Sequence, residues 1–91
     1  MAFKIFAING GFYYFGDEVQ GPDGFLALND AAMFGGFGGG KGVAGVARAD
    51  KAATVTLDRF EKGQEVLFPL TAVFAVMPAK NLYTFPGATL R

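Results

Sequence analysis

The stretch that most constrains this chain runs from Val66 to Met77, VLFPLTAVFAVM, in which only Thr71 carries a polar side chain and Pro69 stands near the middle. A helix through it is disfavoured, because Pro69 removes a backbone donor and clashes with the preceding turn, while Val66, Val73 and Val76 favour extended chain. It is also too short for a membrane span, which takes about 20 apolar residues. Two short strands meeting at a sharp corner at Pro69 fit best. Both faces of such strands are apolar, so they need cover on both sides, from the chain's own core and from another subunit.

Composition points the same way. Ninety-one residues make one domain, and chains of this size often lean on disulfides, metals or oligomerisation. With no Cys and no His, the first two supports are largely closed, and oligomerisation is left. Eleven Phe and three Tyr are more aromatic surface than one small core readily hides, which again argues for subunit contacts. Eight basic and eight acidic residues balance to zero, so the overall basic footprint of most nucleic-acid binders is missing. The start, MAFKIFAING, has the pattern of neither a secretory signal nor a span, and the expected location is the cytoplasm.

Strand and turn signals run through most of the chain. Phe3 to Ile8 and Gly11 to Val19 read as a hairpin around Asn9-Gly10, with Gly16 as a bend inside the second strand. Gly21-Pro22-Asp23-Gly24 is a turn, and Phe25 to Phe34 a third strand. Residues 35–42, GGFGGGKG, hold six glycines in eight positions and predict a flexible hairpin tip, after which Val43 to Arg48 reads as a weak extended segment. Ala53 to Phe60 alternates cleanly, with Val55, Leu57 and Arg59 on one face. A polar loop, Glu61 to Gln64, leads into the apolar stretch. Beyond Pro78, Asn81 to Phe85 reads as a turn or short edge strand, and residues 86–91 as a mobile tail. The sum is an all-β domain of five or six antiparallel strands and no helix, closing as a small, strongly bent barrel.

Chemistry is sparse. GGFGGGKG has the glycines of a phosphate cradle, yet Lys41 is followed by Gly42 where a P-loop needs Ser or Thr. A mobile tip is the simpler reading, with Lys41 and Phe37 available to RNA or a partner. The carboxylates Asp17, Glu18 and Glu65 are explained by surface solvation, and no Asp-x-Asp spacing suggests a metal site. No catalytic residue, metal ligand or cofactor is expected. Phe12-Tyr13-Tyr14-Phe15 has the composition of a base-stacking platform, although core on one face and subunit contact on the other explain it as well. Arg48, Lys51 and Arg59 are the candidates for a weak basic patch that oligomerisation would multiply.

The order of elements over about residues 3–85 resembles the Sm-like family of Sm, LSm and Hfq proteins, and its divergent phage-type members in particular. Gly11 and Gly16 match the paired glycines of the family's first half, Asp23 falls one residue after the family's Asp, and Leu26 and Leu28 match the apolar positions that follow. In the second half, Glu65 to Phe68, Pro69 to Thr71 and Ala72 to Met77 match a long strand, a tight corner and a short apolar strand. Three features depart from the family. Gly24 and Phe25 stand where its RNA-binding Asn is expected, Pro69-Leu70-Thr71 replaces the basic pair at the corner, and strand pattern begins at Phe3 without a preceding helix. The resemblance implies a five-stranded SH3-like barrel and a homo-oligomeric ring in which the fourth strand of one copy pairs with the fifth of the next. It puts Val55, Leu57, Val66, Phe68, Val73, Phe74 and Val76 at the subunit interface, and RNA near Asp23, Phe25, Pro69 and Thr71, with Lys41 added from the glycine-rich loop. The alternatives are a structural or assembly component, as in a virion, and a protein-binding scaffold, neither of which binds nucleic acid.

Overall fold

A computed structural model describes residues 2–91. Seven strands form one mixed sheet: β1 (Phe3–Ile8), β2 (Phe12–Val19), β3 (Phe25–Gly38), β4 (Thr54–Arg59), β5 (Val66–Pro69), β6 (Val73–Pro78) and β7 (Ala88–Leu90). The hydrogen-bonded order is β6-β1-β2-β3-β4-β7, and β5 pairs separately with β3. One α-helix, α1 (Gly42–Ala47), and two 3-10 turns, Leu70–Ala72 and Leu82–Thr84, complete the described residues. The all-β expectation holds in its coarse form. In place of five antiparallel strands closed into a barrel there are seven, β7 runs parallel to β4, and the ends of the path do not meet.

The sheet is organised by the change of partner along β3. Its first residues, Phe25 to Leu28, pair with β5, and Ala32 to Gly38 pair with β4. Between them Asp30 takes a left-handed φ of 49°. Opposite this kink the β2–β3 register shifts between Phe15 and Asp17. Gly16 sits there, and a Cβ on it would lie 2.8 Å from the Asn29 carbonyl oxygen and 3.2 Å from the Ala31 Cα. Only a residue without a side chain lets the two backbones approach so closely. The bend expected at Gly16 is therefore present, and it curls the sheet. Along the path β1-β2-β3-β5, a flat sheet would hold β1 and β5 about 14 Å apart at the usual strand spacing. Yet the rings of Phe6 on β1 and Phe68 on β5 meet edge to face at 5.4 Å.

Two apolar clusters fill the two faces. Phe6, Leu28, Ala31 and Phe68 form one, with Tyr14 and Val73 packed against it. Ile5, Phe15, Ala32, Val55, Leu57 and others form the second, which Val46 and Ala47 of α1 and Leu82 of the second 3-10 turn cover. Neighbours such as Ile5 and Phe6, or Tyr14 and Phe15, thus go to opposite cores. Part of the aromatic surplus is absorbed inside the single chain.

Three segments differ from the sequence reading. Residues 35–38 of the glycine-rich run are paired strand, with Gly36, Phe37 and Gly38 opposite Thr56, Val55 and Thr54. The turn is confined to residues 39–41. Val43 to Ala47, expected as extended, lies in α1. Its two glycines and two valines give it low helix propensity, but Val43, Val46 and Ala47 fall on one helical face and pack on the second core. Tertiary burial outweighs local preference here. The expected tail carries β7, whose Ala88, Thr89 and Leu90 align with Val55, Thr56 and Leu57, while Arg91 makes a two-pronged ion pair with Asp58 at 2.8 and 3.1 Å.

Pro69 behaves as the sequence requires. It ends β5 opposite Phe25, and the 3-10 turn after it carries the chain from the edge of β3 to β6, which pairs with β1. β6 alternates half-buried and exposed residues, so its second face is open rather than covered.

Candidate functional site

Four of the five residues expected near RNA converge at one corner. The Pro22–Gly24 turn meets the corner after Pro69 through a bond from the Leu70 amide to the Gly24 carbonyl, 3.0 Å. The hairpin turn joins them: the Asn9 amide donates to the Ala72 carbonyl at 2.9 Å, and Asn9 Nδ2 to the Thr71 carbonyl at 3.3 Å. Asp23, Phe25, Pro69 and Thr71 are all exposed there, with Leu70 beside them. Lys41 is not part of this group. It precedes α1, at the opposite end of β3 from Phe25. The corner is thus built from an acid, apolar groups and small polar groups, and the one cation of the expected set, Lys41, lies elsewhere.

The seven expected interface residues divide by burial. Val55, Leu57 and Phe68 lie in the chain's own core, and both edges of β4 are taken, by β3 and β7. Val66 and Val73 are half-buried against the Phe6 cluster. Phe74 and Val76 are 67% and 42% exposed. Sequence reasoning passed over Leu67 and Leu70, which are exposed beside them. The alternation of Leu67 with Phe68 was the signal, masked because both residues are apolar. Among the described residues, β5 pairs only with β3 and β6 only with β1, so each keeps one free edge. Two unpaired strand edges carrying exposed apolar side chains thus flank the Pro69 corner.

The aromatic run on β2 is largely committed to packing. Phe15 is fully buried, Tyr14 stacks on Phe60 and meets Phe68 edge to face, and Tyr13 meets Phe34 and Phe37 at 5.9 and 5.6 Å. Phe12 and Phe37 keep open ring surface. The expected basic patch is divided. Arg48 pairs with Asp50 at 2.8 Å, and the Arg59 guanidinium lies 4.7 Å above the ring of Tyr83. Lys51 lines a hollow together with Lys80, which sequence reading gave no role.

Tyr83 lies in a perturbed environment at the β3 kink. Its hydroxyl donates to the carbonyl of Asp30, the residue at the β3 kink. Burial raises the phenol pKa above its ordinary value, the nearby Asp30 carboxylate adds to the rise, and Arg59 opposes it. The arrangement ties the second 3-10 turn to the kink and has the geometry of a structural clasp. Among the described residues, no three acidic side chains gather closely enough to hold a metal ion, and no helix is long and apolar enough to cross a membrane.

Comparison with protein-family models, curated proteins and solved structures found no match.

Proposed function

We propose that the chain is a self-assembling subunit of Sm-like type, forming a homo-oligomeric ring through its β5 and β6 edges and serving as a scaffold. The carrying observation is the pair of free edges beside the Pro69 corner, with Leu67, Leu70, Phe74 and Val76 exposed along them. Unpaired apolar edges of this kind are an aggregation hazard unless another strand covers them. The β5 edge and the β6 edge are different surfaces, so joining one to the other is a head-to-tail contact, and such contacts close into rings when the rotation permits. Further support comes from elements shared with the Sm-like pattern: the consecutive strands β1, β2 and β3, the bend at Gly16, and the tight corner at Pro69 leading into a short apolar strand.

Phe74 gives the cleaner test of the interface, because Val73 also packs against the chain's own core. Burying a Phe side chain contributes about 1.5–3 kcal/mol, so Phe74→Asp should weaken assembly at least tenfold while leaving the circular dichroism of the fold unchanged. An assembly of unaltered size and strength would refute the β6 contact.

A second reading, RNA binding, rests on the convergence of Asp23, Phe25 and Thr71 at one exposed corner, which a ring would repeat around its axis. The corner lacks a cation, which makes the scaffold reading the stronger of the two. Fluorescence anisotropy of labelled oligo-U and oligo-A separates them. Phosphate contacts are strongest at low salt, and no binding there would end the RNA reading.

A further inference from the structure

On the face of the molecule away from the Pro69 corner, the segment 79–87 folds back against the turn that follows α1 and leaves a hollow of about 550 Å³. Its walls come from Ala49, Phe85 and Pro86, and its polar rim from Lys51, Lys80 and Asn81. A second hollow, lined in part by Arg48 and Pro78, adjoins it and shares Lys80. The volume is in the range of sites that take small organic ligands, and the mix of apolar wall with a few polar groups is typical of them.

Charge sets the class of ligand. No carboxylate lines either hollow. The nearest acid in sequence, Asp50, is occupied by Arg48 at 2.8 and 3.3 Å. Lys51 and Lys80 form no ion pair among the described residues, so two lysine side chains without a salt-bridge partner line one largely apolar cavity. Such a cavity concentrates anions. Asn81 adds direction: its Oδ1 accepts from the Tyr83 amide at 3.0 Å, which orients the side chain and leaves Nδ2 as a free donor. The frame is firm. The Lys80 amide donates to the Ala47 carbonyl at 2.9 Å, and Gly87 packs so closely on the Phe85 ring and the Ala53 carbonyl that a Cβ there would collide with both.

We infer that this hollow binds a small ligand with one anionic group on a flat apolar body, the anion held by Lys51, Lys80 and Asn81 Nδ2 and the body laid on Phe85 and Pro86. The anion is a carboxylate or a phosphate, two sources with the same recognition chemistry.

Amide chemical-shift titrations of the wild-type chain test this with four probes: adenosine monophosphate, adenosine, 2-naphthoate and 2-naphthol. At least one of the anions should move the signals of Ala49, Lys51, Lys80, Asn81 and Gly87, and its neutral counterpart should bind at least tenfold more weakly. A response to adenosine monophosphate alone assigns a phosphate ligand, and one to 2-naphthoate alone a carboxylate. The double variant Lys51→Gln, Lys80→Gln removes two exposed charges and should keep the wild-type spectrum elsewhere while losing at least tenfold in affinity. The inference is overturned if neither anion shifts these residues at millimolar concentration, if the neutral compounds bind equally well, or if the double variant binds unchanged.

Discussion

Gly16 and Tyr83 act on the same few atoms of β3 from two sides. Gly16 leaves room for the kinked backbone at Asn29 to Ala31, and the Tyr83 hydroxyl holds the Asp30 carbonyl within it. Replacing Gly16 with Ala drives a methyl group against backbone, which cannot rotate away. We expect a loss of about 1–3 kcal/mol in urea unfolding, the range of overpacked sites. Tyr83→Phe should cost less, about 0.5–1.5 kcal/mol for one hydrogen bond, since Asp30 is exposed and water replaces the donor. Tyr83 also sets a pH dependence. Its pKa is raised in the fold, so the native state keeps the phenol proton more tightly than the unfolded chain. That contribution is complete below about pH 10, the ordinary phenol value, and is lost as pH rises through the higher folded value. Urea midpoints from pH 8 to 11 should fall more steeply for the wild type than for Tyr83→Phe, and parallel curves would exclude the clasp. Gly16 was legible in the sequence, because glycine within an aromatic strand marks a bend. The Tyr83–Asp30 contact was not, since 53 positions separate the partners and nothing local connects them.

At the scale of elements, the two ends of the second core were the least legible. α1 forms because Val46 and Ala47 bury themselves on the sheet, against the low propensity of a segment rich in Gly and Val. β7 forms because β4 offers an open edge, and Pro86-Gly87 ahead of it has the look of a frayed terminus. Periodicity could report neither, as both depend on partners distant in sequence. The strands with clean alternation or a strong turn, β1, β2, β4 and the Pro69 corner, were readable for the opposite reason. Deleting residues 88–91 tests the role of β7. It removes backbone bonds at about 1 kcal/mol net each and uncovers the edge beside Val55 and Leu57, so stability should fall by about 2–4 kcal/mol. Hydrogen exchange at Arg59 should accelerate in parallel, because its amide donates to the Arg91 carbonyl, which the deletion removes. Unchanged exchange and stability would mean that residues 88–91 behave as the tail the sequence suggested.

At the scale of the whole molecule, the apolar surplus divides into a part the chain hides and a part it leaves open. Two cores rather than one, with α1 and the second 3-10 turn as cover, accommodate most of the aromatics. Leu67, Leu70, Phe74 and Val76 stay on the surface beside unpaired strand edges. The sequence made this remainder visible as a stretch apolar on both faces, but it could not divide the stretch into inward and outward residues. Phe68 goes to the core and Leu67 to solvent, an assignment that depends on the curl set at Gly16 and Asp30. The central claim is that another copy of the chain covers these edges. Size-exclusion chromatography with light scattering on the wild-type chain, at micromolar concentration, tests it most directly. The account predicts one closed species whose molar mass is a whole-number multiple of the single chain; a stable, soluble monomer at that concentration would contradict it.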